Sequence, residues 1–170
     1  LHFQDARFLK KSVILKPEWG TAAVYKVLDS PTVIRNLGCF SDDDLKQIWH
    51  EAEYADMRDE LLQLMMKFQL CYEIPGCAGH YIAPQLLSEN APEYAWETHP
   101  QPLPVGEHTH PQPLPRGENL RVRYTYEFMP KGIVTRFIVA THPFIEDQRL
   151  VWKSGVVLQD DGTRAEIIEY

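Results

Sequence analysis

The sequence predicts an α+β chain in two parts: a winged-helix-like unit over residues 1–90 and a unit of antiparallel strands from residue 119. Three observations lead there. Apolar residues recur at helical spacing through Met57–Ile74 and alternate at strand spacing through Val122–Phe128, and a Pro-rich tandem at 98–118 separates the two patterns.

The helical stretch is the organising element. Met57, Leu61, Leu64, Met65, Phe68 and Tyr72 share one face at 3.6 residues per turn. Leu62, Met66, Leu70 and Ile74 widen that face, leaving Arg58, Asp59, Lys67, Gln69 and Glu73 at its margins or toward water. Asp56 is the expected N-cap with Asp59 at N3, and Pro75-Gly76 the expected stop. So wide an apolar arc belongs to a helix touched from more than one side.

Upstream, Leu1–Gln4 and Ser12–Leu15 read as two strands of a hairpin, joined by a basic connection at 5–11. Pro17 suits the first position of a helix that runs to Leu28, and Pro31 disfavours its continuation. A second helix, over 42–52, starts after Ser41. The Ser41 hydroxyl can cap backbone N–H groups with Asp44 at N3, and Asp42, Asp43 and Asp44 favour the positive end of the helix dipole. Leu45, Ile48 and Trp49 form the apolar edge of this helix. After the central helix comes a short strand, Tyr81–Ala83, closed by Pro84. A strand pair, three helices and a strand in this order make a winged-helix-like arrangement.

Residues 91–118 read as a linker. Within it the ten residues from Thr98 to Glu107 recur from Thr109 to Glu118 with a period of eleven, and only Val105 and Arg116 differ. Six of the 13 prolines fall here at alternate positions, which excludes helix and central strand and implies an extended, poorly ordered spacer. Without a P-x-x-P spacing, a role as a ligand for an SH3-type groove gains little support. The near-identity of the copies resembles a translated bacterial intergenic repeat placed in a tolerant loop.

From Asn119 the pattern is that of a sheet. Val122, Tyr124, Tyr126 and Phe128 alternate with Arg121, Arg123, Thr125 and Glu127, and Met129–Gly132 breaks the strand. Ile133–Ala140 is ambiguous: its β-branched content favours strand, whereas Ile133, Phe137 and Ala140 lie at helical spacing. Trp152 and Val156–Leu158 read as strand, and Asp160-Asp161-Gly162 turns the chain into a second strand over Ala165–Tyr170.

Composition narrows the function. With 170 residues, 44% hydrophobic and 24% charged, the chain resembles an ordinary soluble protein with a sizeable core, and it opens on Leu1, as expected of a segment cut from a longer protein. No apolar run reaches the roughly 20 residues that a membrane helix needs. A net charge of −7 disfavours nucleic acid or an anionic membrane as main partner, and three widely spaced cysteines suit a reducing cytoplasm. Cys71, Cys77 and His80, with Cys39 at a distance, do not follow a structural-zinc spacing; small buried hydrophobes account for the cysteines better than a zinc module or a Cys77–His80 nucleophilic pair does. No Gly-rich phosphate loop occurs. A winged-helix nucleic-acid binder is the other reading to weigh. It lacks a basic recognition helix, because the helix at 42–52 carries Asp42, Asp43, Asp44 and Glu51 against Lys46.

Several motifs then fall together in order. Leu1–Asp5, Val13–Trp19 and Ala23–Leu28 are followed by Leu61–Cys71 of the central helix and by Tyr81–Leu87. In the second part come Arg123, Tyr126, Phe128-Met129-Pro130 and Gly132, then Arg136–Val139, then Trp152 and Gly155-Val156. This succession resembles the COR (C-terminal of Roc) domain of Roco proteins. The resemblance implies a GTPase domain, Roc, directly upstream, holding GTP and Mg while this chain binds no cofactor. It also implies that Ile133–Ala140 is helical, making the second part an antiparallel sheet plus helix over 119–170. Val13 and Trp19 would face the GTPase. Tyr124, Tyr126 and Arg136 would serve a homodimer or interdomain contact. The chain itself would be non-catalytic, coupling the GTPase to dimerisation and to an output domain such as a kinase. Gly20 after the Trp and Ala140 before Thr141-His142 depart from the usual pattern, which bears on the strength of the dimer contact.

Overall fold

A computed structural model describes residues 17–94, 127 and 130–169. The expected hairpin over residues 1–15, the Pro-rich tandem and the body of the 122–128 strand lie outside the described residues, as do Val13, Tyr124 and Tyr126. Residues up to Pro92 and from Lys131 onward form one compact unit; residues 93–130 form another, in which no helix or strand falls among the described residues.

The fold of the first unit is α+β. Its elements are α1 (Pro17–Leu28), α2 (Pro31–Arg35), β1 (Cys39–Ser41), α3 (Asp42–Ile48), α4 (Ala52–Ala55), α5 (Arg58–Lys67), β2 (Tyr72–Glu73) and β3 (His80–Ile82). After the gap come α6 (Ile133–Thr141), β4 (Val151–Trp152), β5 (Gly155–Asp160) and β6 (Thr163–Ile168). Two antiparallel three-stranded sheets result, ordered β1-β3-β2 and β4-β5-β6.

Local chemistry sets many of the boundaries. Pro17 opens α1, and Pro31, besides ending the previous run, supplies the first turn of α2. Ser41 and Asp44 form a full capping box: the Asp44 carboxylate accepts from the Ser41 backbone N–H at 2.8 Å, and the Ser41 hydroxyl accepts from the Asp44 N–H at 3.3 Å. At the tip of the β5–β6 hairpin Asp161 and Gly162 have φ of 44° and 76°, the left-handed pair that a tight two-residue hairpin turn requires.

Three expectations are corrected. The helix expected over 42–52 ends at Ile48, where the Arg58 guanidinium donates to the Trp49 carbonyl at 3.1 Å, and α4 restarts at Ala52. The central helix is shorter than its periodicity suggested: α5 ends at Lys67 rather than running to Ile74. Gln69 turns left-handed (φ 57°), and the Gln69 and Leu70 N–H groups bond back to Met66 and Met65 at 3.0 and 2.9 Å, a Schellman closure without glycine. Asp56 does not cap α5; it closes α4, and Met57 is the N-cap residue.

Leu61, Leu62, Met65 and Cys71 pack with Ala23, Val27, Val33, Phe40, Leu45, Trp49 and Tyr81 in the core of the first half. Trp49 is fully buried, and its indole N–H donates to the Ala23 carbonyl at 2.9 Å, tying α3 to α1. In the second half Val134, Ile138 and Val139 of α6 are buried with Val151, Trp152, Val156 and Val157, and α6 packs against β5. Trp152 pairs with Gly155, and a Cβ on Gly155 would lie 2.2 Å from the Trp152 ring. The indole therefore needs a residue without a side chain beneath it.

Candidate interaction surfaces and the junction between the halves

Three places position residues of functional interest. The first is the corner where α1 meets α4. Trp19 is half-buried and stacks on Tyr54 at 5.4 Å between ring centroids, with an interplanar angle of 19°. Lys26, two turns along α1, lies 5.3 Å from the Tyr54 ring centroid and pairs with Glu51 at 3.0 Å. The hydrogen bond that the Lys26 ammonium donates to the Glu51 carboxylate holds it above its ordinary pKa. Trp19 is thus anchored from within, while part of its surface stays open.

The second is α6. Val134, Ile138 and Val139 face inward, whereas Ile133, Arg136, Phe137 and Ala140 are exposed and recur at i, i+3, i+4 and i+7, one stripe of the helix. The Gly132 carbonyl accepts the first bonds of the helix, from the Arg136 N–H and the Thr135 hydroxyl, both at 3.1 Å, and Gly132 itself is left-handed at φ 86°. That geometry explains a glycine just before the helix.

The third joins the two halves of the unit. Tyr72 of β2 is 1% exposed, and its hydroxyl donates to Gln148 Oε1 at 2.8 Å. Its ring stacks on His142, which follows α6, at 5.0 Å. The His142 Nδ1–H donates to the Val139 carbonyl at 2.8 Å, which fixes the imidazole on the end of α6. Burial pushes the Tyr72 hydroxyl well above its ordinary pKa, so it stays a donor at neutral pH. Beside this pair, the Lys153 N–H donates to the Ser88 carbonyl and its ammonium meets Glu89, both at 2.8 Å, and the turn Pro84–Leu86 packs on α6. Sequence reasoning singled out neither Gln148 nor His142, and it took Tyr72 for one more residue of a helical face.

The cysteines are dispersed. Cys39 is half-buried, Cys71 buried and Cys77 exposed, and His80 is exposed on β3. Burial raises the Cys71 thiol to about 12, so it is protonated and unreactive at neutral pH. Among the described residues no group of three or more His, Cys, Asp or Glu side chains could hold a metal ion, and no helix is long and apolar enough to cross a membrane. An open cleft of about 450 Å³ lies between α3 and α5, lined by charged groups that include Asp42, Lys46, Asp56 and Arg58 above buried Leu45, Leu62 and Tyr81.

Comparison with known families accounts for this two-part organisation. The COR-A domain (C-terminal of Roc) matches residues 1–87, and the COR-B domain matches residues 117–170. The chain is a COR domain of the Roco family. Its relatives include a Roc-COR-CHAT protease of Runella zeae, 30% identical over 171 residues, which span 99% of this chain and 16% of that protein. Two probable serine/threonine-protein kinases of Dictyostelium discoideum, pats1 and qkgA, are 25% and 28% identical over 95% and 93% of this chain, and over 5% and 10% of their own lengths. The chain therefore spans less than a fifth of each of these relatives. The third site, Tyr72 with His142 and Gln148, is the junction of COR-A with COR-B.

Proposed function

We propose that this chain is a non-catalytic coupling segment, linking a Roc GTPase domain in the same protein to dimerisation and to a downstream output domain. The observation that carries this reading is the succession of COR-A and COR-B along the chain, with residues up to Pro92 and from Lys131 onward in one compact unit that Tyr72, His142 and Gln148 help to join. A segment that relays a conformational state needs two partner-facing surfaces on a connected body. The half-open Trp19 and the exposed stripe with Arg136 are suited to those roles. Val13, together with Trp19, belongs to the GTPase side, and Tyr124, Tyr126 and Arg136 to the dimer side.

In this reading COR-A is winged-helix-like, with α1, α3 and α5 around the sheet β1-β3-β2, but it serves protein contacts. Asp42, Asp43 and Asp44 at the start of α3 repel a phosphate backbone. GTP and Mg belong to the Roc domain, and the protein works in the cytoplasm.

The test begins with the genomic sequence before Leu1, which should encode a P-loop. The Roc and COR domains, produced together, should then change between monomer and dimer when GDP is exchanged for a non-hydrolysable GTP analogue, as read by light scattering. Arg136→Glu should weaken the dimer while leaving nucleotide affinity unchanged. A GTPase signature missing upstream, or an oligomeric state indifferent to both nucleotide and Arg136→Glu, would overturn the proposal.

A further inference from the structure

We draw no further inference here: the strongest candidate, the exposed apolar side chains Tyr25 of α1, Ile34 of α2 and Leu37 in the turn that follows it, carries none because nothing in the structure shows what covers them.

Discussion

If Tyr72 joins the COR-A half to the COR-B half, cutting its hydrogen bond should weaken both halves together. Tyr72→Phe keeps the ring against His142 and removes only the donor to Gln148. Gln148 is half-buried, so water can take the place of the lost donor, and the cost should be about 1 kcal/mol, a typical net value for one hydrogen bond. Gln148→Ala should cost more, about 1–3 kcal/mol, because it strands a hydroxyl in a site that is 1% exposed. The double variant should cost about as much as Tyr72→Phe alone and so fall short of the sum by about 1–3 kcal/mol, since with the hydroxyl gone Gln148→Ala strands nothing. His142→Ala, which deletes the stacked ring, should cost a further ~0.5–1.5 kcal/mol. Urea unfolding gives these free energies, and amide exchange shows where protection is lost. The expected pattern is one cooperative transition, with protection falling in β2 and β3 on one side and in α6 on the other. Additive costs, or loss of protection confined to one half, would show that the contact does not couple them.

Three other predictions follow from individual sites. The Cys71 thiol titrates near 9.0 when unfolded and near 12 when folded, so its contribution is complete below pH 9 and fades as pH rises toward 12. Wild type should therefore lose about 2 kcal/mol more than Cys71→Ala between pH 8 and about 10.5, measured by urea midpoints; parallel losses would contradict the assignment. Gly155→Ala forces a methyl into the Trp152 ring and should destabilise by about 1–3 kcal/mol with a shift in indole fluorescence, whereas an unchanged thermal midpoint would mean the ring relocates freely. Hydrogen bonds from the Arg149 side chain and backbone hold the Asp147 carboxyl at about 2, and Arg149→Ala should move its NMR titration toward the ordinary value near 3.9. A midpoint that stays put would assign the shift to the backbone N–H alone.

What the sequence disclosed divides along a physical line. Features decided within one turn of chain were legible: Pro17 at the head of α1, the Ser41–Asp44 capping box, and the Asp161-Gly162 hairpin turn. Features decided by partners far along the chain were not. Leu70 and Tyr72 continue the helical spacing of α5, yet Tyr72 belongs to a sheet and to the junction. The break at Gln69 carried no glycine to announce it, so periodicity ran past the true end of the helix. β1 has three residues and β2 has two, too few for alternation to register. Tyr72 and Gln148 lie 76 positions apart, and no local pattern reports a contact at that distance. Of the expected partner-facing residues, Trp19 and Arg136 fall among the described residues and retain open surface; for Trp19 nothing local in the sequence distinguished that from plain core packing, whereas an arginine within an apolar helix already favoured a partner contact.

The early end of α5 also bears on how the proposed coupling could work. Had the helix run on to Ile74, Tyr72 would sit on its apolar face, committed to the COR-A core. Because the chain turns at Gln69 and re-enters as β2, Tyr72 instead pairs with Ile82 of β3 and offers its ring to His142 at the end of α6. The same α6 carries the exposed stripe with Arg136. From the COR-A core to that stripe the connection thus runs through α5, β2, the Tyr72–His142 stack and α6. Contiguity alone transmits nothing; transmission needs an element with two arrangements that both partners bias. The Tyr72 contact is a suitable place for such an element, because one hydrogen bond and one ring stack, each worth about 1 kcal/mol, are cheap enough for a bound nucleotide state to shift. Under this reading Tyr72→Phe leaves GTP affinity alone and blunts the nucleotide dependence of the dimer, a separation that a purely structural Tyr72 would not produce.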